Sequence, residues 1–284
     1  MNILVIDIGG SSIKYADFSI DGILLKKSSF DVPQSFNLLI EKIEEIYNGG
    51  NYSAISISSP GAIDTATGQG YGLTAIDYIP RDGNLKSTLE SRLNVPVAID
   101  NDANCAGLSE VHFAEDLDSI AYVVLGSGVG GCVIIDGNVV TGSKFFGGEF
   151  GYMPYKDSTY SMYAGMLGLS QRATGQSDTV VPGLTIFEQY ENGNIPYVNA
   201  VNEYYGALAS LISILKHTID PDQIIWSGAV TNRATFIDEL QTAINHFENG
   251  KDYIISDVDL AISRFGSDAN LYGAYANLIR NYSI

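Results

Sequence analysis

Cysteine is scarce in this chain: two among 284 residues, Cys105 and Cys132, neither in a metal-type pair such as C-x-x-C. One follows a polar cluster and the other a Gly-Gly, so both read as small buried residues and not as a disulfide. Positive charge is short as well, with 15 Lys and Arg against 33 Asp and Glu and a formal net charge of −18. That balance builds no sizeable phosphate-neutralising face and excludes a nucleic-acid partner. An anionic small molecule is still admissible where backbone N–H groups and a metal ion carry the interaction. No apolar run has membrane-spanning length, since the longest helical pattern, Val201 to Ile219, is interrupted by Asn202, Glu203, Lys216 and His217. The opening Met1 to Ile6 stops at Asp7 without a basic leader, so no signal peptide is expected and the location reads as cytoplasmic. Histidines number three (His112, His217, His246), each in a helical pattern without a triad or metal partner, and none is given a role.

What is present is a folded composition, 45% hydrophobic and 17% charged, long enough for two domains of ordinary size. Ile3 to Ile8 is a β-branched run that Gly9-Gly10-Ser11-Ser12 turns into the alternating Ile13 to Phe18, a hairpin. Asp21-Gly22 turns again into Ile23 to Leu25. Ser35 to Tyr47 has helical spacing, Ala54 to Ser58 is a strand, and Leu85, Leu89 and Leu93 mark a helix before Val95 to Ile99. From about residue 114 the plan repeats. Ile120 to Leu125 is a strand, Gly126 to Gly131 its turn, Cys132 to Ile135 the return, and Asp136-Gly137 leads to Asn138 to Val140. Residues 142–198, rich in Gly, Tyr and Ser, carry no assignable pattern. A long helix near 199–218, a strand Gln223 to Trp226, a helix from Thr235 to Phe247 and a closing helix from Asp268 to Arg280 complete the chain. No linker separates the halves, so two domains hinged at a cleft are expected.

The chain is organised around Ala98 to Gly107, where a strand ends in Asp100-Asn101-Asp102-Ala103-Asn104 and a helix begins. The end of a strand at the mouth of a helix is a usual place for chemistry in α/β proteins. An Asp or Asn helix cap explains part of this cluster equally well. The two glycine turns favour a site, because glycine lets backbone N–H groups approach phosphates closely. Ser11, Ser12 and Ser127 could add hydroxyl donors, and Asp7 at its strand end would face the same phosphates through a metal ion. Gly126-x-Gly128-x-x-Gly131 matches the dinucleotide fingerprint, but Cys132 to Val140 alternates and turns like a hairpin where that motif needs a helix.

Asp7-Ile8-Gly9-Gly10-Ser11, Asn101-Asp102-Ala103-Asn104 and Leu125 to Gly131 together resemble the ROK family of sugar kinases and repressors, within the actin/hexokinase/Hsp70 superfamily. Gly147-Gly148-Glu149-Phe150-Gly151-Tyr152-Met153 resembles that family's Gly-Glu-x-Gly-His-Met segment. Trp226-Ser227-Gly228-Ala229-Val230 is similar to its adenosine loop, Leu271 to Tyr275 to its C-terminal Gly-Ala motif, and Ser59-Pro60-Gly61-Ala62-Ile63-Asp64 also fits. The resemblance spans the chain nearly end to end. It implies an α/β fold of two actin-like, ribonuclease H-like domains flanking a cleft. One covers 1–114 plus about 273–284 on the sugar and phosphate side, and the other covers 115–272 on the ATP side.

The resemblance further implies ATP and Mg²⁺ as cofactors and Asp102 as general base. Gly61, Asn101, Asp102, Glu149, Tyr152 and Gln171 would meet the sugar. Asp7 (also facing Mg²⁺ indirectly), Gly9, Gly10, Ser11, Ser12, Ser127, Gly128 and Gly130 would meet the phosphates, with Gly228 and Ala229 at the adenosine. A homodimer is the family's habit. One departure stands out: most ROK kinases hold zinc by that segment's His and three cysteines in C-x-C-G-x-x-G-C. Here the four positions are Tyr152, Met162, Ala164 and Leu169, which cannot bind zinc, and apolar packing is expected to hold the loop instead. The usual following Glu is Gln171, and a tyrosine with an uncharged amide suits a larger or aryl-bearing glycoside.

The function implied is phosphorylation of the 6-hydroxyl of a hexose or glycoside, in the glucose, N-acetylmannosamine or β-glucoside class. A catalytically inactive sugar- or nucleotide-binding module is the alternative. A ROK-type repressor would need a helix-turn-helix ahead of Asp7, and an acyl-phosphate kinase of the same superfamily would not pair NDAN with Gly-Glu-x-Gly.

Overall fold

The run Asn2–Ile8 forms β1 and is buried from Ile3 onward, as a continuous β-branched strand covered on both faces must be. The computed structural model containing it describes all residues except 73, 75, 115, 178–179, 250–254, 256 and 283–284. The domain boundary expected at 115 therefore lies outside the described residues. Antiparallel to β1 runs β2 (Ser12–Ser19), and beyond it β3 (Leu24–Asp31), which reaches well past the short strand expected at Ile23 to Leu25. Helix α1 (Phe36–Asn48) comes next, its first turn capped by the Ser35 hydroxyl accepting from Leu38 N–H. Strand β4 (Tyr52–Ser59) lies parallel to β1 on the other side.

A small hairpin, β5 (Ala62–Asp64) and β6 (Gln69–Tyr71), then leaves the sheet and leads to the one-turn α2 (Tyr78–Asp82). Three-residue strands have no alternation to read, so neither the hairpin nor α2 is visible in the sequence. Helix α3 (Leu85–Leu93), strand β7 (Val97–Asn101) beside β4, and helix α4 (Asp102–His112) complete this half. The sheet order is β3-β2-β1-β4-β7. Leu4, Ile6 and Ile8 pack with Leu39, Ile43 and Leu89 on one face of the sheet. Ile3 and Val5 pack on the other with Leu271, Ala274 and Leu278 of the closing helix Ala269–Asn281.

The plan repeats with β8 (Ile120–Leu125), β9 (Val129–Ile135) and β10 (Asn138–Val139) antiparallel. The stretch left unassigned from sequence contains a hairpin, β11 (Pro154–Tyr155) and β12 (Ser158–Thr159), and helices α5 (Tyr160–Ala164), α6 (Met166–Thr174) and α7 (Gly183–Glu191). The long helix α8 starts earlier than expected, at Ile195, and runs to Thr218. Beyond it come strand β13 (Gln223–Ser227), helix α9 (Phe236–Glu248) and strand β14 (Leu260–Ile262), the last unanticipated. This sheet has the order β10-β9-β8-β13-β14, the same pattern as the first, and its core joins Val123 and Leu125 to Val201, Leu208, Leu211, Phe236 and Leu240.

By contacts the chain divides into two units. The first is Met1–Asp116 with Thr141–Gly147 and Ser267–Ile284, and the second is Leu117–Val140 with Gly148–Gly266. Each sheet has three antiparallel strands and then two parallel ones, which is the doubled ribonuclease H-like plan expected of an actin-like α/β protein.

Candidate active site

In the first unit the site is built where β7 passes into α4. Asn101 ends the strand and caps the helix, its Oδ1 accepting from Asn104 N–H at 3.1 Å. The Asn101 Nδ2 donates to the Gly61 carbonyl at 3.0 Å, tying the Pro60-Gly61 bend to the helix mouth. Gly61 sits at φ +96°, and a Cβ there would meet Thr74 Cγ2 at 2.5 Å, so only glycine fits. Beneath lies Asp100, buried, whose Oδ1 accepts from Asn101 N–H at 2.7 Å and from Asn104 Nδ2 at 3.0 Å. Asp100 and Asn104 are thus two site residues that sequence reasoning passed over, although both stand in the quoted cluster.

Asp102 occupies the first position of α4 and is half-buried, with its Oδ1 accepting from Ala103 N–H at 2.8 Å. Burial pushes its carboxyl up to about 6, helped by the nearby Asp7 charge, against the pull of the Ala103 N–H and the Asn101 amide. Asp100 is also pushed up to about 6 by burial, opposed by its hydrogen bonds from Asn104 and Asn101.

Asp7 lies buried near the end of β1, and its Oδ1 accepts from Ser58 Oγ at 3.1 Å and Asn270 Nδ2 at 2.9 Å. Lys14 stands across the hairpin in register with Asp7, its Nζ 3.5 Å from Asp7 Oδ2. The expectation that Asp7 faces phosphates through a metal ion left out this lysine, which already faces the carboxylate. A tight hairpin fixes that register, so Lys14 was legible as the cross-strand partner. In the turn itself Gly9 N–H donates to the Ser12 carbonyl at 3.2 Å, whereas the N–H groups of Gly10 and Ser11 have no hydrogen-bond partner among the described residues. Gly10 and Ser11 are exposed, and Ser12 is half-buried at the start of β2.

The second unit has its own glycine turn. Gly126 N–H donates to the Gly128 carbonyl at 3.0 Å, and Val129 N–H donates to Ser161 Oγ at 3.1 Å. The N–H groups of Ser127 and Gly128 are without partners among the described residues. The turn's carbonyls are used differently: Met166 N–H donates to Gly126 O at 2.9 Å and Leu167 N–H to Ser127 O at 3.0 Å, satisfying the first amides of α6. Gly130, one residue into β9, is half-buried. Ser161, missed from sequence, is where Gly128 and Gly151 converge, since a Cβ on either would come within 2.9 Å or 2.3 Å of its Oγ.

Glu149 precedes a 3₁₀ turn, Phe150–Tyr152, laid against β9. Gly148 (φ +86°) would place a Cβ 2.7 Å from the Gly131 carbonyl, and Gly151 one 2.1 Å from that of Val129. The glycines of this segment are therefore demanded by close backbone packing. Tyr152 itself is 70% exposed. Gly228 (φ +114°) comes directly after β13, and a Cβ there would stand 2.1 Å from the Leu125 carbonyl, which holds Ala229 at the end of the parallel strands.

The apolar packing expected at the zinc-loop positions is one part of what holds this loop. Ala164 and Leu169 are indeed in the core, but Arg172 also clamps the loop through polar bonds. Its Nη1 donates to the Met162 carbonyl and its Nη2 to the Tyr163 carbonyl at 2.7 Å, while the guanidinium lies 4.8 Å from the Tyr163 ring. Gln171 donates Nε2 to the Ser177 carbonyl at 3.2 Å and lines an open cavity of about 350 Å³ with Tyr163 and Arg172.

Two ribonuclease H-like units, each with a glycine turn after its first strand, and a strand-end carboxylate in one of them, define an actin-like phosphotransfer protein. More narrowly, the ROK family model matches residues 3–281, and the chain belongs to the ROK family. A beta-glucoside kinase of Listeria monocytogenes is 29% identical over 99% of this chain and 98% of its own. A ROK family protein of Streptococcus pneumoniae, solved in complex with sucrose, superposes with a TM-score of 0.89 at 31% identity, covering 99% of this chain and 98% of that one. A ROK family glucokinase of Streptomyces griseus, solved with glucose and AMPPNP, shares the fold at a TM-score of 0.79 and 21% identity, covering 99% of this chain and 100% of its own.

Proposed function

We propose that this chain is an ATP-dependent sugar kinase that phosphorylates the 6-hydroxyl of a hexose or glycoside, with the β-glucoside class favoured. The observation that carries the reading is Asp102, held at the mouth of α4 with its carboxyl pushed up to about 6. At neutral pH such a group is ionised yet basic enough to take a proton, the balance general-base catalysis needs. As the sugar O6 approaches the γ-phosphorus, Asp102 accepts the hydroxyl proton, the O6–P bond forms, and the P–O bond to ADP breaks. The unpartnered N–H groups of Gly10, Ser11, Ser127 and Gly128 are donors suited to phosphate oxygens. Gly228 and Ala229 would border the adenosine, and Gly61, Asn101, Glu149, Tyr152 and Gln171 the sugar. Asn101 serves this by positioning, through its cap and its bond to the Gly61 carbonyl.

Magnesium keeps several waters and needs only one or two carboxylates beside nucleotide phosphates, so Asp7, buried beside Lys14, would face it indirectly and leave Asp102 free as the base. Bound with ATP, it would offset charge on the transferred phosphoryl. The reading includes a cytoplasmic homodimer, measurable by light scattering at twice the chain mass. The test is ADP release with ATP and Mg²⁺ across glucose, N-acetylmannosamine, N-acetylglucosamine and β-glucosides. Turnover on one or more of them is expected. Silence on every sugar, with sugar or nucleotide still bound in calorimetry, would favour an inactive binding module.

A further inference from the structure

The β5–β6 hairpin and the segment Thr141–Gly147 belong to the first unit and carry an exposed aromatic group that the catalytic reading does not use. The Tyr71 and Phe145 rings stack with centroids 5.8 Å apart and planes 8° apart. Phe146 lies alongside, 3.8 Å from where a Cβ on Gly72 would stand. Tyr71 is 43% exposed and Phe146 51%, so these faces are not core. Phe145 adopts φ +62°, a conformation that costs a bulky residue energy and persists only when its surroundings hold it. The Gly147 N–H bond to the Thr141 carbonyl at 2.9 Å closes this segment into a small loop. The loop is thus built to present two adjacent aromatic rings.

This group is joined to the catalytic network by short steps. Asn101, next to Asp102, holds the Gly61 carbonyl; Ala62, the next residue, pairs with Tyr71; and the Tyr71 carbonyl lies 3.4 Å from where a Gly61 Cβ would be. Gly61 is the residue assigned to the sugar, so the aromatic rings flank that position by one strand of a hairpin. Aromatic faces pair with flat aryl groups and with the C–H faces of pyranose rings, and ligand sites join such apolar surface to a few polar groups.

We propose that Tyr71, Phe145 and Phe146 form a platform for the aglycone of a β-glycoside whose sugar is held at Gly61, Asn101 and Asp102. This rests on the sugar-kinase reading for the sugar's position. It moves the origin of any aryl preference away from Tyr152 and Gln171, which lie in the other unit.

The test compares methyl β-glucoside with phenyl β-glucoside and cellobiose, in ADP-release kinetics and in parallel calorimetric binding. In the unmodified protein, kcat/KM and affinity should favour the phenyl glucoside over the methyl one by about three- to tenfold, the worth of one aromatic contact. Tyr71→Ala and Phe146→Ala should bring that ratio close to one, through KM and not kcat, and Tyr71→Phe should retain it. Because both side chains are largely exposed, the Ala variants should lower the melting temperature by only a few degrees, the loss of a stacked contact, and a cooperative melt excludes misfolding as the cause. A phenyl-to-methyl ratio that is near one in the parent, or unmoved in both Ala variants, overturns the platform. Absence of turnover with a Tyr71-dependent preference in binding would keep the platform and overturn the kinase reading instead.

Discussion

Asp100 and Asp102 are separated by one residue and do different work. Asp102 lies at the helix mouth, half-buried, with its Oδ1 taking the Ala103 N–H, whereas Asp100 is buried and spends an oxygen on the Asn101 N–H and Asn104 amide. Both are pushed up to about 6, so each is easier to protonate in the folded chain than in the unfolded one, where a carboxyl titrates near 4. Their stabilising protonation is complete below about pH 4 and lost as pH rises through 6. Asp100→Asn preserves an oxygen that can accept both hydrogen bonds and removes the buried charge. It should raise stability at pH 8 by roughly 2 kcal/mol and leave it nearly unchanged at pH 4, measured by urea denaturation at the two pH values. Equal effects at both would mean that the charge is not what burial opposes. This network was only half legible in the sequence: Asn101 reads equally as cap and as ligand, and nothing in Asp-Asn-Asp says which carboxyl faces inward. The hairpin register that sets Lys14 against Asp7 was available in the spacing.

Among the elements, α4 depends on its neighbour. A Cβ on Gly273 of the closing helix would stand 1.5 Å from the Cys105 carbonyl, so the two helices meet backbone to backbone. Gly273→Ala must push them apart, at a cost of about 1–3 kcal/mol, and because α4 begins at Asp102 the displacement should lower kcat as well. A thermal melt and steady-state kinetics on the same variant check both. The second unit offers a matching case at α5 and α6. Neither helix is long enough to nucleate alone, and both lean on tertiary partners: Ser161 Oγ on Val129 N–H, the carbonyls of Gly126 and Ser127 under α6, and Arg172 over the Tyr163 ring. That dependence explains why residues 142–198 gave no readable period. Arg172→Ala should destabilise by about 2 kcal/mol by stranding the Met162 and Tyr163 carbonyls. A strong chelator should leave the melting temperature of the parent protein unchanged. A drop on chelation would show that a metal supports this loop.

For the whole molecule, what could be read was the repeated plan. Runs such as Ile3 to Ile8 and Ile120 to Leu125 are β-branched and long, and the turns after them are glycine-rich, so both sheets declared their first strands. The short β5–β6 hairpin and β14 were hidden because three residues cannot show alternation, and with the hairpin went the aromatic group of Tyr71 and Phe145. Motif order gave the family, while a platform such as Tyr71 stacked on Phe145 joins distant stretches and carries no motif. The assignment of Asp102 as the proton acceptor is the point on which the chemistry turns. The direct measurement is the pH dependence of kcat/KM for a β-glucoside in the parent and in Asp102→Asn. The expected result is an acid limb in the parent with a midpoint near pH 6 and a loss of at least about 100-fold in the variant, as removal of a general base implies. A variant within a few-fold of the parent, or one that keeps the same acid limb, would contradict the assignment.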